Sequence, residues 1–202
     1  MTTLLHRWIG LADRLATWAV RIAGAFMLAA ALLVSFDVLV RKFAGVTIGG
    51  ADELSGYAFA VGTSWALAFT LLRRANVRVD ALYSRLPERV AAALDLLALV
   101  ALLVFVGYLT WRVTLVLQDS LLFSARATTP LATPLWIPQS LWLVGFGLFL
   151  FTILPLILAV GIALAKGDRA TVRRLAGART LEEEAAEEKS HTAALQPLAG
   201  ER

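Results

Sequence analysis

The sequence predicts an all-α integral membrane protein: four transmembrane helices preceded by an N-terminal interfacial amphipathic helix, with both termini cytoplasmic. Three observations predict it. Of the 202 residues, 59% are hydrophobic and the mean hydropathy is +0.73, which no soluble domain of this size needs. Four uncharged apolar windows, 22–36, 54–72, 96–111 and 137–165, approach with their flanks the ~20 residues that cross a ~30 Å hydrocarbon core. Finally, arginine and lysine fall unevenly between the connectors. The N-terminal segment, the connector 73–89 and the start of the tail hold thirteen, and the other two connectors hold Arg41, Lys42 and Arg126. Positive charge stays on the cytoplasmic side, so that count places both termini and residues 73–89 inside.

Residues 1–19 are expected to form the interfacial helix. Leu4, Trp8, Leu11, Leu15, Trp18 and Ile22 repeat at spacings of four and three, and Arg7, Arg14 and Arg21 share another face. Two tryptophans favour headgroup depth. The three arginines, spaced by seven, would meet lipid phosphates. The first span covers about 20–40. It begins too late and runs too long for a cleaved leader, so it reads as an uncleaved signal anchor. Asp37 and Arg41 close it at a spacing that lets them pair.

The second span covers 52–72 and opens on Asp52 and Glu53, acids that suit a helix N-terminus. Gly56, Ala60, Ser64 and Ala68 form a stripe of small residues that lets another helix approach closely; Ala58, Gly62 and Ala66 form a second. The connector after it carries five arginines, and Val79, Leu82, Tyr83, Leu86 and Val90 give it an apolar face. Arg78, Arg85 and Arg89 would then reach phospholipid from the membrane surface. Pro87 suits the first turn of the third span, 88–117. Residues 120–138, with Pro130, Pro134 and Pro138, read as a stiff, extended external loop. The fourth span, 138–165, contains Pro155, and a charged cytoplasmic tail occupies 166–202.

The composition excludes several function classes. There is no cysteine, hence no disulfide and no thiolate metal site. His6 and His191 lie outside the spans, so a haem held between intramembrane histidines is excluded. Nothing in the sequence has the pattern of a catalytic, cofactor-binding or metal site, and the basic residues sit at membrane borders rather than on a nucleic-acid-binding domain. The charges in or beside the spans, Arg21 and Asp95 at one level and Asp37 and Arg112 at the other, avoid the midplane where transporters bind coupling ions. Asp37 and Arg112 reach similar depths, so they are expected to pair between helices, with Arg41 as the competitor.

The order of short motifs resembles a known family. Arg73-Arg74-Ala75-Asn76-Val77-Arg78-Val79-Asp80, then Leu86-Pro87-Glu88-Arg89, is similar to the central connector of the DctQ-like small membrane subunit of tripartite ATP-independent periplasmic (TRAP) transporters. The run Asp37 to Phe43, the triplet Asp52-Glu53-Leu54, and Thr133-Pro134-Leu135-Trp136-Ile137-Pro138 resemble its other connectors. Asn76 stands where that family usually has histidine. The resemblance, spanning roughly residues 20 to 165, implies a non-catalytic scaffold in the bacterial inner membrane. Its implied partners are a large permease subunit, which carries the sodium and substrate sites, and, transiently, a periplasmic substrate-binding protein. The implied cargo is an organic acid. The rival reading is a stand-alone four-span assembly factor or the anchor of another complex.

Overall fold

The structure, a computed structural model, describes residues 3–75 and 86–177. The described residues form α1 (Thr3–Ala44), α2 (Ala51–Leu72), α3 (Glu88–Leu122), α4 (Trp136–Ala165) and α5 (Arg169–Ala176). The first four are each long and apolar enough to cross a membrane, so the all-helical, four-span architecture holds. The surface segment expected over 79–90 falls largely outside the described residues, as do Arg78, Arg85 and the tail beyond Gly177.

The bundle is built around α4, the most apolar helix, which packs against each of the other four. α1, α2 and α4 pack mutually, whereas α3 packs on α4 and α5. The core follows from that arrangement: Phe146, Phe149, Ile153, Leu156 and Val160 of α4 meet Leu99, Val106 and Val113 of α3, and Leu71 of α2 joins them. Hydroxyls within the spans are satisfied locally. Thr63, Thr70, Thr110, Thr114 and Thr152 each donate to the carbonyl four residues earlier, so none forces an unpaired donor into lipid.

The amphipathic segment expected at the N-terminus is helical from Thr3 and runs without interruption into the first span. No proline lies between them to break the hydrogen-bond ladder. At ~1.5 Å per residue its 42 residues reach about 63 Å, far beyond a ~30 Å core. Its packing face is a row of small side chains, Ala12, Ala16, Ala19 and Ala23, continued by Leu5. The larger residues Leu4, Leu11, Leu15, Trp18 and Ile22 stay outward, while Trp8 turns in and lies 5.5 Å from the Phe151 ring. Small residues thus pack on protein and large ones stay exposed, the pattern expected where helices associate by van der Waals packing.

α2 begins at Ala51, one residue before the expected 52, and ends at Leu72. α3 continues five residues past the expected Leu117, and α4 begins at Trp136 rather than 138. That start leaves Pro138 in the first turn, where its missing N–H has no partner to lose. α4 then runs as one helix through Pro155. Part of the tail is also folded: α5 packs under α3 and α4, burying Val172 and Ala176. Asp168 caps it, accepting from the Thr171 N–H at 3.0 Å and hydroxyl at 2.6 Å. The Thr171 hydroxyl first, then its N–H, hold the Asp168 carboxyl below the usual carboxylate range. The cap therefore contributes fully above pH about 4, and its contribution fades as pH falls through the lowered folded value.

Candidate functional site

Two ends of the bundle carry the polar structure. The hairpin end holds the connectors 45–50 and 123–135. There α1 must reverse into α2 within six residues, and Gly50, at φ +90°, begins α2 in a left-handed conformation that any side chain would strain. A Cβ there would also strike Leu131 of the second connector. The reversal brings Thr47 and Ile48 over Asp37, whose carboxylate accepts the Ile48 N–H at 2.6 Å and the Thr47 hydroxyl at 3.0 Å. Asp37 is buried, and Arg41 stands 3.8 Å away with its guanidinium largely in solvent.

The second connector departs from the expected extended loop. Ala127 N donates to Thr133 O and Leu135 N to Ala125 O, both at 3.0 Å, and Arg126 bridges antiparallel to Pro134. This is a small hairpin, and Arg126 donates from its side chain to Ala132 O across the turn. Pro134 sits at a position that needs no ladder donor, so the prolines shape the turn rather than extend the chain. Glu53, in the first turn of α2, ties the hairpin down: it accepts from the Thr129 hydroxyl and, at 2.7 Å, from Tyr57 of its own helix. Two carboxylates thus fasten both connectors. Asp37 was legible as a border charge, whereas Glu53 was read only as a dipole partner.

Asp37 and Arg112 are not brought together. The loop donors fill the Asp37 carboxylate, and Arg112 lies exposed on α3 with its guanidinium 6.0 Å from the Trp111 ring centroid. Equal depth did not imply contact, because α3 packs across α4 from α1.

The small-residue stripe divides. Ser64 and Ala68 are buried, Ala60 is half-buried and Gly56 is exposed. Ser64 lies against Gly145 of α4 so closely that a Cβ on that glycine would stand 2.7 Å from the Ser64 carbonyl carbon. Below this contact Trp65 donates its indole N–H to Leu141 O at 2.8 Å. Gly62 of the second stripe meets the flexible Met27 side chain of α1.

At the opposite, basic end, Arg7, Arg14 and Arg21 are exposed on the side of α1 away from the alanine row. The Arg21 guanidinium lies 5.6 Å from the Trp18 ring centroid. Arg89 is exposed in the first turn of α3. Three ties lace this end: Arg73 to Asp13 at 3.1 Å, Arg169 to Glu88 at 3.6 Å, and the Arg74 guanidinium to Arg173 O at 3.4 Å. The side chains of the first two pairs are all at least 40% exposed, so each pair contributes ~0–1 kcal/mol. Sequence reading missed these ties; the separate α5 cap had a signal, because Asp168 followed three residues later by Thr171 is a recognisable helix start.

The family described as tripartite ATP-independent periplasmic transporters, DctQ component, matches residues 30–161. That stretch takes in the last third of α1, all of α2 and α3, the connectors of the hairpin end and most of α4. No curated protein and no solved structure matches the chain.

Proposed function

Since the chain belongs to the DctQ component family of tripartite ATP-independent periplasmic transporters, we propose that it is the non-catalytic small permease subunit of a sodium-coupled uptake system for organic acids. In this reading it is a fixed scaffold beside a large permease subunit that carries sodium and substrate, with a periplasmic substrate-binding protein docking transiently. The observation that supports a scaffold is the level of the buried carboxylates. Asp37 lies at the hairpin end, fastened to its connector, and Asp95 lies two turns into α3 from the basic end. The middle of the bundle is closed by Ser64 against Gly145 and by Phe146, Phe149, Leu99 and Val106. Such a middle carries no route for an ion or a carboxylate. The small subunit reconstituted alone should therefore show no sodium-driven uptake of any organic acid. Uptake should require the large permease, which should copurify with a tag on this chain. Transport by the chain alone, or failure to copurify, would refute the assignment.

The bacterial inner membrane, with both termini cytoplasmic, completes the proposal. The basic end then meets anionic phospholipid through Arg7, Arg14, Arg21, Arg78, Arg85 and Arg89, and the hairpin end faces the periplasm. Cysteines introduced singly at Ala75 and Thr128 into this cysteine-free chain test the orientation. An impermeant thiol reagent added to intact cells should label Thr128→Cys alone, and labelling of Ala75→Cys would invert the topology.

A further inference from the structure

Where α1, α4 and α5 converge at the basic end they enclose a cavity of about 390 Å³, a size within the ~300–1,000 Å³ of small-ligand sites. Apart from Ala159, its lining lies outside the segment that matches the family, so neither the match nor the transport reading accounts for it. The lining has two parts. Its floor is apolar, made by Ile9 of α1, Ile162 of α4 and Leu175 of α5. Its mouth is cationic, with Lys166 just past the end of α4, Arg174 in the last turn of α5, and His6 of α1 beside them.

The lining is net positive at the mouth. Lys166 and Arg174 outweigh the single carboxylate there, Asp168, whose oxygens accept from Thr171. Lys166 and Arg174 make no ion pair among the described residues. The apolar floor also continues beyond the cavity. Leu154, Leu158 and Ile162 form an exposed i, i+4 row along the second half of α4, ending at Ile162 in the cavity lining. A free inorganic anion would use the cations and gain nothing from such a track. An amphiphile with an anionic head and a hydrocarbon chain uses both.

We propose that this cavity seats one anionic phospholipid, its headgroup phosphate between Lys166 and Arg174 and an acyl chain along the Leu154–Leu158–Ile162 row. The bound lipid bridges α4 and α5 with α1, adding a link between α1 and the short helix that packs under α3 and α4. The site is distinct from the arginine face of α1, which points away from the packed helices.

The purified full-length chain in a neutral detergent is titrated with phosphatidylglycerol, phosphatidylcholine or inorganic phosphate, and bound lipid is counted by native mass spectrometry. One phosphatidylglycerol should be retained with a preference of about tenfold or more over phosphatidylcholine. Excess inorganic phosphate should not displace it. The double substitution Lys166→Gln/Arg174→Gln should weaken retention by about tenfold or more, because two cations near the phosphate are lost. Ile162→Trp, which obstructs the floor without changing charge, should weaken it as well, and it carries the test if the double variant does not fold. Arg7→Gln/Arg14→Gln should keep the single retained lipid. Equal retention of the two lipids, displacement by phosphate, wild-type binding by either cavity variant, or equal loss in the Arg7/Arg14 variant would each overturn the assignment.

Discussion

Gly145→Val should unfold the bundle more readily than other single substitutions on the exposed or half-buried glycines of α3 and α4. The reason is what a side chain there would meet. A Cβ on Gly145 would stand 2.7 Å from the carbonyl carbon and 2.8 Å from the Cβ of Ser64, and neither can swing aside as a flexible side-chain end would. α2 and α4 would have to separate, opening the contacts that Ala68 and the Trp65–Leu141 hydrogen bond depend on. Overpacking typically costs about 1–3 kcal/mol, and a clash with backbone belongs at the upper end. Gly107→Ala on α3 and Gly147→Ala on α4 meet open space and should be neutral within about 0.5 kcal/mol. Gly62→Ala should fall between them, since the Met27 side chain it touches can move. Unfolding of the purified chain in mixed micelles with rising dodecyl sulfate measures all four. A Gly145 variant as stable as the Gly147 variant would contradict the close α2–α4 approach.

The second large effect is expected from Asp37→Ala. That change leaves the Ile48 N–H and the Thr47 hydroxyl without their acceptor at the reversal between α1 and α2. Thermal unfolding in detergent should begin several degrees lower, with the connector 45–50 becoming open to proteolysis. Asp37→Asn, which keeps one acceptor oxygen, should lose less. Arg41→Gln should change little, because the 3.8 Å pair is mostly solvated on the arginine side. Arg112→Gln should be additive with Asp37→Ala in a double-mutant cycle. Strong coupling between Asp37 and Arg112 would restore the interhelical pair that depth alone had indicated.

Those two cases also mark what the sequence could and could not disclose. The four spans were readable because the length and apolarity of a membrane helix are set by the bilayer, a constraint that acts residue by residue. Asp37 and Arg112 lie in α1 and α3, the helices of the spans expected to carry them. Azimuth was not readable. Whether Asp37 turns toward α3 or toward its own connector depends on which helix occupies the centre, and α4 takes that place through the combined fit of Gly145, Phe149 and Ile153. The small stripe on α2 shows the same limit. Its spacing was visible, but Gly56 and Ala60 leave the interface that Ser64 and Ala68 enter, because helix crossing carries one half of a straight stripe away from its neighbour. The hairpin at 125–135 was hidden differently: three prolines suggested extension, and the pairing needed Glu53, seventy-six residues from Thr129, to hold the turn.

That separation has a consequence for how the protein is made. Thr129 to Glu53 and Leu141 to Trp65 are each seventy-six residues apart along the chain. At ~5–20 residues per second, α2 precedes its α4 partner by roughly 4–15 s of synthesis. α1 is already present, and its alanine row can receive α2 around Gly62 at once. The Ser64–Ala68 face and the Glu53 carboxylate must wait in the membrane for the helix that completes them. The nascent chain therefore passes through a two-helix stage with an open notch, and the last span to emerge is the one that closes the bundle.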